Sequence, residues 1–230
     1  MKLLLTSYGI YNKSIASALK RIAKGKIRIA FIPTAANVDH GDKEWLIKDL
    51  VNCRKLGPVD IVDISALPKA NWLSRLKKAN VIFVGGGNTV YLMKWIKNSG
   101  LKKELPGLLK TRVYVGSSAG SIVASRNLQA CSDFIYGGEE KNAPSGLGLV
   151  DFHIRPHFNS PVFPKCIDKN LRIAAKKLSG DTYAIDDDSA VMFVDGKITV
   201  VSAGAWKKYS GKKTSNKYLR KKFIVDHYDT

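Results

Sequence analysis

A glycine-serine motif in the middle of the chain has the residue types and the spacing of a catalytic nucleophile. The motif is Gly116-Ser117-Ser118-Ala119-Gly120, and it directly follows the apolar run Val113-Tyr114-Val115. In a G-x-S-x-G motif between a strand and a helix, the glycines let the two elements cross closely and the central serine exposes its Oγ. The motif therefore predicts a nucleophile elbow that is centred on Ser118 and not on Ser117 or Ser121.

Two loops near this motif are candidates for an oxyanion hole. The helix predicted after Ser118 leaves the N–H of Ala119 without an intrahelical acceptor. A second loop, Gly85-Gly86-Gly87-Asn88-Thr89, follows another predicted strand, and its consecutive glycines let the backbone approach a ligand closely. Each loop also has a simpler interpretation. The first would be a turn that ends a strand or binds an anion, and the second a tight turn capped by Asn88 or Thr89.

A serine nucleophile needs a general base, and the base needs a group that orients it. His157 follows a short predicted strand, in a loop from which its side chain could reach the elbow, and His153 is the competing candidate. The simpler interpretation of either histidine is packing or capping near a strand end. Asp133 lies between the nucleophile and the histidines in a polar segment. The rival carboxylates are Asp151, Glu139, Glu140 and the run Asp186-Asp187-Asp188.

The elements that must position these residues alternate between short apolar runs and segments of helical periodicity. The predicted strands are Leu3–Ser7, Arg28–Pro33, Asp60–Ile64, Val81–Val84 and Arg112–Gly116. The predicted helices are Lys13–Ala23, Lys43–Leu56, Asn71–Lys78, Thr89–Lys97 and Leu101–Leu109. This alternation is typical of a doubly wound α/β sheet with parallel strands. Ligands of such sheets bind beyond the carboxyl ends of the strands, which is where both candidate loops lie.

The second half of the chain is less regular. Its predicted elements are a strand around Val150–Ile154, a helix near Cys166–Leu178, and strands at Thr182–Ile185, Ala190–Val194 and Ile198–Ser202. The Asp195-Gly196 pair between the last two strands favours a β-hairpin turn. Because no repeat or linker interrupts the pattern, we predict one domain over residues 1–230.

The composition excludes several classes of protein. The 230 residues are 45% hydrophobic, which excludes a disordered chain despite a net charge of +19. No apolar run is long enough to span a membrane, and Leu3-Leu4-Leu5 is too short for a signal peptide, so we expect a cytoplasmic protein. Most of the positive charge is lysine and no RNA-binding motif accompanies it, so we expect a solvated surface with no specific nucleic-acid partner and no membrane partner.

Neither the cysteines nor the histidines form a metal-binding motif. Cys53, Cys131 and Cys166 contain no C-x-x-C pair, and the four histidines contain no H-E-x-x-H motif. We therefore expect no metal and no cofactor.

The motifs taken together resemble a known family. The ordered set Gly85-Gly86-Gly87-Asn88-Thr89, Val115-Gly116-Ser117-Ser118-Ala119-Gly120 and Pro156-His157-Phe158 is similar to that of the aspartyl dipeptidase (dipeptidase E) family of serine peptidases. The likeness covers nearly the whole chain. It implies a three-layer flavodoxin-like α/β sandwich related to class I glutamine amidotransferases, with serine in place of their elbow cysteine.

The resemblance also implies roles for individual residues. Ser118 would be the nucleophile, His157 the base and Asp133 the third member of the triad. The amides of Gly86 and Ala119 would form the oxyanion hole. The reaction implied is hydrolysis of short peptides through an acyl-enzyme, including peptides with N-terminal aspartate, by a monomer or homodimer.

Two departures from the family pattern bear on specificity. Ser117 stands where the family usually carries tryptophan or another bulky residue before the nucleophile. The segment Phe163–Arg172 lacks the arginine-containing stretch with which the family binds the aspartate carboxylate, and Arg172 or Lys169 would have to replace it. Lysine is a point charge and not a bidentate fork. Strict specificity for N-terminal aspartate is therefore not expected from these residues.

Three other functions compete with a dipeptidase. The first is another serine hydrolase on the same fold, such as an esterase or a relative that cleaves aspartate polymers. The second is a non-catalytic protein that binds partners through its basic surface. The third is a glutaminase-like amidotransferase, which is disfavoured because the elbow residue is Ser118 and not cysteine.

Overall fold

The apolar runs of the first half form the parallel part of an eight-stranded sheet in the computed structural model. The model describes residues 1–128 and 145–212, together with the backbone of residues 225–227. The strands are β1 (Lys2–Thr6), β2 (Ile29–Ile32), β3 (Val59–Ile61), β4 (Val81–Val84) and β5 (Val113–Ser117). They lie parallel in the order β3-β2-β4-β5-β1. Every residue of β2, β4 and β5 is buried, as expected for strands covered on both faces.

Helices cover the two faces of this sheet and make it the middle of three layers. The helices are α1 (Lys13–Ile22), α2 (Glu44–Arg54), α3 (Lys69–Lys78), α4 (Thr89–Asn98) and α5 (Leu101–Leu108). Side chains of β1 alternate between the two cores because successive residues of a strand point to opposite faces. Leu4 packs in the cluster that contains Ile15 of α1. Leu3 and Leu5 pack in the cluster that contains Trp72 of α3.

The predicted hairpin extends the sheet beyond β1. Strands β8 (Ser189–Val194) and β9 (Lys197–Ser202) pair antiparallel, and β8 pairs antiparallel with β1. The turn residues Asp195 and Gly196 have φ angles of 47° and 96°, as a hairpin turn with two left-handed residues requires. The backbone of β11 (Val225–His227) adds parallel to β9. The predicted α/β class, with a mostly parallel sheet and a hairpin, is confirmed.

A second, three-stranded sheet was not predicted. It contains β6 (His153–Arg155), β7 (Thr182–Ile185) and β10 (Trp206–Tyr209), in the order β10-β7-β6, and α7 (Asp168–Ala175) packs against it. Two of these strands were expected from their apolar residues, but strand periodicity does not identify the pairing partner. The middle of β10 is Lys207-Lys208, both exposed, so this edge strand lacks a hydrophobic signal.

The order of strands brings three loops together at one edge of the main sheet. Strand β5 lies between β1 and β4, so the residues that follow these three strands are neighbours.

Within the described ranges, no helix is both long and apolar enough to cross a membrane.

Gly116 and Gly120 allow the chain to cross closely after β5. A Cβ atom on Gly116 would lie 2.6 Å from the carbonyl oxygen of Gly120, and one on Gly120 would lie 2.0 Å from the carbonyl oxygen of Val84. Both obstacles are backbone atoms, which cannot move aside like the end of a side chain. The two glycines are therefore steric requirements of the elbow.

We predict that Gly120→Ala destabilises the fold by about 1–3 kcal/mol, because the new methyl group forces β4 and the elbow apart. Gly107→Ala is the matched control, since Gly107 lies in α5 and a Cβ there meets no atom within 4 Å. Alanine in that helix is expected to be neutral or stabilising by up to about 1 kcal/mol. Urea unfolding of both variants measures the difference, and equal stabilities would contradict the steric argument.

Candidate active site

Ser118 occupies a strained backbone conformation between β5 and the short helix α6 (Ala119–Ile122). Its φ and ψ angles are 46° and −106°, outside the regions that serine favours. The surrounding hydrogen bonds fix this conformation. The hydroxyl of Ser121 lies 2.7 Å from the carbonyl oxygen of Thr6 and 2.8 Å from that of Gly116, and it donates to both. The hydroxyl of Tyr114 donates to the carbonyl oxygen of Gly120 at 2.7 Å. Strain held in place by packing is typical of functional sites.

The side chain of His157 lies between Ser118 and Asp187. Its Nε2 is 2.9 Å from Ser118 Oγ, and its Nδ1 is 2.8 Å from Asp187 Oδ1. The imidazole stacks on the ring of Phe163 with 4.3 Å between the ring centroids. Its backbone is left-handed, with φ of 63°. With the proton on Nδ1, the imidazole donates to Asp187 and its free Nε2 accepts the proton of Ser118.

Ser7, directly after β1, links the histidine backbone to the carboxylate. The N–H of His157 donates to Ser7 Oγ at 2.8 Å, and the Ser7 hydroxyl donates to Asp187 Oδ1 at 2.6 Å. One buried hydroxyl therefore orients both the base and its partner. Sequence reasoning missed Ser7, although a serine at the carboxyl end of a buried strand that neighbours the elbow strand was a usable signal.

Asp187 is an ionised hydrogen-bond acceptor. Burial raises the pKa of its carboxyl, but hydrogen bonds from His157 and Ser7 lower the pKa by more, so the net direction is downward. The neighbouring aspartates have other partners. Asp186 accepts from the Ser189 hydroxyl at 2.5 Å, and Asp188 accepts from the Asn12 amide at 3.3 Å. Only the middle residue of the run faces His157.

Of the other carboxylates named from the sequence, three lie outside the described residues and one has a different partner. Asp133, Glu139 and Glu140 lie outside the described residues. Asp151 binds Arg126, with 2.8 Å between Oδ1 and Nε. The hydrogen-bond position on His157 Nδ1 that was expected for Asp133 is filled by Asp187.

His153 has a different environment from His157. It is buried in β6, and its Nε2 lies 3.1 Å from the carbonyl oxygen of Ser179. Burial is the main cause that lowers the pKa of its imidazole, so the neutral form is favoured. Of the two candidate bases, the structure brings only His157 into hydrogen-bond distance of Ser118.

Gly86 and Ala119, the residues expected to form the oxyanion hole, lie next to Ser118. A Cβ atom on Gly86 would lie 3.4 Å from Ser118 Cβ and 3.5 Å from the ring of Trp45. Ala119 is the first residue of α6. Within the described residues, neither backbone N–H donates to a backbone carbonyl. The capping interpretation of the second loop also holds, because Asn88 Oδ1 accepts from the N–H of Tyr91 at 2.8 Å and caps α4.

A cavity of about 640 Å³ opens beside Ser118. The described residues that line it are Ser7, Tyr8, Val38, Asp39, His40, Gly41, Trp45, Asp49, Gly86, Gly87, Asn88, Ser117, Ser118, His157, Ser160, Val162, Phe163 and Asp187. None of these is lysine or arginine.

The described residues contain no group of three His, Cys, Asp or Glu side chains that could hold a metal ion.

Arg172 and Lys169, the residues expected to bind substrate, are not among those lining residues. Both lie on α7, and Arg172 Nη2 is 2.9 Å from Asp168 Oδ2 one turn away. This helix packs through Leu171 and Ala175 on the second sheet, next to Tyr209. The sequence places these residues soon after His157, but the fold directs their helix to another sheet.

Asp49 is a buried carboxylate in the cavity wall that sequence reasoning missed. It is 5% exposed, and burial raises the pKa of its carboxyl to about 7, although a hydrogen bond from the Ser117 hydroxyl lowers the pKa in part. Trp45 and Asp49 are four residues apart on α2 and face the same cavity. The signal was an aspartate at helical spacing from the buried Cys53, on the face of α2 that packs inward.

Comparison with known proteins finds one family. The sequence model of the family described as Peptidase family S51 matches residues 3–201. The uncharacterized peptidase Lmo0363 of Listeria monocytogenes is 30% identical over 174 residues, which cover 74% of this chain and 82% of the relative. Peptidase E of Salmonella typhimurium is 31% identical over 137 residues, which cover 59% of this chain and 57% of the relative.

Solved structures agree on the fold. A crystal structure of a protein assigned to peptidase E from Listeria monocytogenes EGD-e has a TM-score of 0.73 at 22% identity, covering 88% of this chain and 98% of that one. The structure of a peptidase from an acI-B1 Actinobacterium has a TM-score of 0.64 at 20% identity, covering 92% and 95%.

The raised pKa of Asp49 predicts how its replacement changes stability. A carboxyl whose pKa is higher in the folded than in the unfolded state destabilises the fold increasingly as pH rises from the unfolded pKa, near 3.8, to the folded pKa, about 7. Asp49→Asn removes that penalty. We expect the difference in free energy of unfolding between the variant and the wild type to increase from about pH 4.5 to about pH 8, in favour of the variant. The increase is expected to be on the order of 3 kcal/mol. Urea titrations at the two pH values measure the gain, and a constant difference would contradict it.

Proposed function

The chain belongs to peptidase family S51 and is a serine-type peptidase, and we propose that it hydrolyses short peptides with Ser118 as nucleophile, His157 as base and Asp187 as the third member of the triad. One observation carries the assignment of residues. It is the continuous chain of hydrogen bonds from Asp187 Oδ1 through both ring nitrogens of His157 to Ser118 Oγ, with distances of 2.8 and 2.9 Å.

The first half of the proposed reaction forms an acyl-enzyme. Ser118 Oγ attacks the peptide carbonyl carbon while His157 Nε2 takes its proton, and Asp187 stabilises the imidazolium that results. The N–H groups of Gly86 and Ala119 donate to the oxyanion of the tetrahedral intermediate. His157 then gives its proton to the leaving nitrogen as the C–N bond breaks.

The second half of the reaction releases the acyl group. Water attacks the ester carbon and gives a proton to His157, and the same two amides stabilise the second oxyanion. His157 returns the proton to Ser118 Oγ as the ester bond breaks. No step requires a cofactor, because the nucleophile, the base and the oxyanion donors all belong to this chain.

The cavity supports a small peptide as substrate. A volume of about 640 Å³ is in the range that holds compact ligands. Names such as peptidase E and probable alpha-aspartyl dipeptidase among the relatives point to dipeptides. The described lining offers no cation to an aspartate side chain, so we propose peptidase activity without strict dependence on N-terminal aspartate.

Replacement of Ser118 tests the nucleophile. We expect Ser118→Ala to lower kcat for a short peptide by at least about 10³-fold, because among the described residues Ser118 supplies the hydroxyl that is hydrogen-bonded to His157 Nε2. A fluorophosphonate label, mapped by mass spectrometry, should modify Ser118 in the wild type and nothing in the variant.

Two outcomes would contradict this assignment. Near wild-type turnover by Ser118→Ala would exclude Ser118 as the nucleophile. Failure of the wild type to react with the label or to hydrolyse peptides or esters would favour the basic binding protein. A third outcome, hydrolysis of esters without detectable hydrolysis of the matched peptides, would favour an esterase on the same fold.

Parallel amide variants test the third member of the triad. Asp187→Asn should lower kcat on the order of 10²–10⁴-fold, because asparagine cannot stabilise the imidazolium or hold the same tautomer. Asp188→Asn is the control, since its amide oxygen still accepts from Asn12. Asp133→Asn is measured beside them, and a loss of activity confined to that variant would assign the role to Asp133 instead. Circular dichroism verifies that each variant is folded.

A further inference from the structure

The carboxylate of Asp49 has no cationic partner in the described part of the chain. Its side chain is buried in the wall of the cavity that contains Ser118, and Ser117 lines the same cavity. A buried carboxylate without a cation costs free energy, so proteins rarely keep one without compensation. The triad described above does not use this group.

The backbone makes room for this carboxylate. Gly9 has φ of 65°, and a Cβ atom there would lie 1.9 Å from Asp49 Oδ1. Any other residue at position 9 would collide with the carboxylate. The carboxylate therefore packs directly against the backbone of the loop after β1.

Two aromatic side chains share this part of the cavity. The ring of Trp45 lies next to Gly86, which separates it from Ser118. Tyr8 lines the same cavity as Asp49 and Asp187, and burial first and then the charges of these two carboxylates raise the pKa of its hydroxyl. Aromatic faces beside a carboxylate form a favourable environment for an ammonium group.

The charge of the cavity is opposite to that of the whole chain. The net charge is +19, but the charged residues among the described lining are Asp39, Asp49 and Asp187, apart from the two histidines. This arrangement attracts cations and repels carboxylates in the cavity that contains Ser118.

We propose that Asp49 binds the ammonium group of the substrate residue on the acyl side of the scissile bond. The proposal rests on the proposed function of Ser118. The ammonium has two sources, the α-amine of an N-terminal residue or the side chain of lysine, and both would form an ion pair with Asp49 beside Trp45 and Tyr8.

A set of 4-nitroanilides with one leaving group tests the proposal. The acyl groups are alanyl, N-acetylalanyl, N-acetyl-lysyl and aspartyl. We expect the wild type to cleave at least one ammonium-bearing substrate with kcat/KM at least about thirty-fold above that of N-acetylalanyl, as for a desolvated charge pair. Preference for alanyl assigns the α-amine, and preference for N-acetyl-lysyl assigns the side chain.

Asp49→Asn distinguishes recognition from support of the fold. The variant should lose the preference for ammonium while its kcat/KM for N-acetylalanyl stays within a few-fold of wild type. Glu44→Gln is the matched control, because it removes an exposed carboxylate from the same helix outside the cavity, and it should keep the preference.

Three results would overturn the proposal while the proposed function stands. They are equal wild-type cleavage of all four substrates, faster cleavage of N-acetylalanyl than of every substrate that carries an ammonium group, and an equal loss for every substrate in Asp49→Asn. The ratios of kcat/KM among the four substrates, measured with the wild type, test the proposal even if Asp49→Asn does not fold. Absence of hydrolysis together with absence of fluorophosphonate labelling of Ser118 would instead refute the proposed function, and this proposal with it.

Discussion

The close crossing of β5, α6 and β4 is the constraint on which the site depends. Gly116 and Gly120 allow backbone atoms to approach within distances that no Cβ atom permits, and the crossing holds Ser118 at a φ of 46°. The buried hydroxyls of Tyr114 and Ser121 bind the carbonyl groups around the turn. Rigid neighbours therefore enforce the strain at Ser118 and hold its hydroxyl within hydrogen-bond distance of His157.

The remaining groups reach Ser118 from separate elements. Ser7 follows β1, Gly86 follows β4, and Asp187 lies in the connection between the small sheet and β8. The antiparallel pairing of β8 with β1 places Asp187 beside Ser7. The carboxylate that contacts His157 therefore precedes a hairpin strand and does not follow one of the parallel strands. His157 lies in the loop after β6 and is hydrogen-bonded to Ser118 through Nε2 and to Asp187 through Nδ1.

The electrostatics of the site differ from those of the surface. Lysine supplies most of the positive charge of the chain, yet the described cavity wall presents carboxylates and aromatic rings. Long lysine side chains are stable where water solvates them, whereas the described cavity wall is built mainly from loops that follow strands and from α2. The total charge is therefore a poor guide to what the site binds.

The sequence alone determined the α/β class and indicated the G-x-S-x-G motif around Ser118 and the glycine loop after β4, because these features depend on local spacing, whereas only the resemblance to a family favoured His157 over His153. The sequence left the carboxylates unranked and suggested Arg172 and Lys169 at the wrong place, because those contacts join residues that are distant along the chain. Only the tertiary structure selected Asp187 as the partner of His157, revealed Ser7 and Asp49, and separated the second sheet from the first. Strand pairing and helix docking decide such contacts, and periodicity carries no information about either.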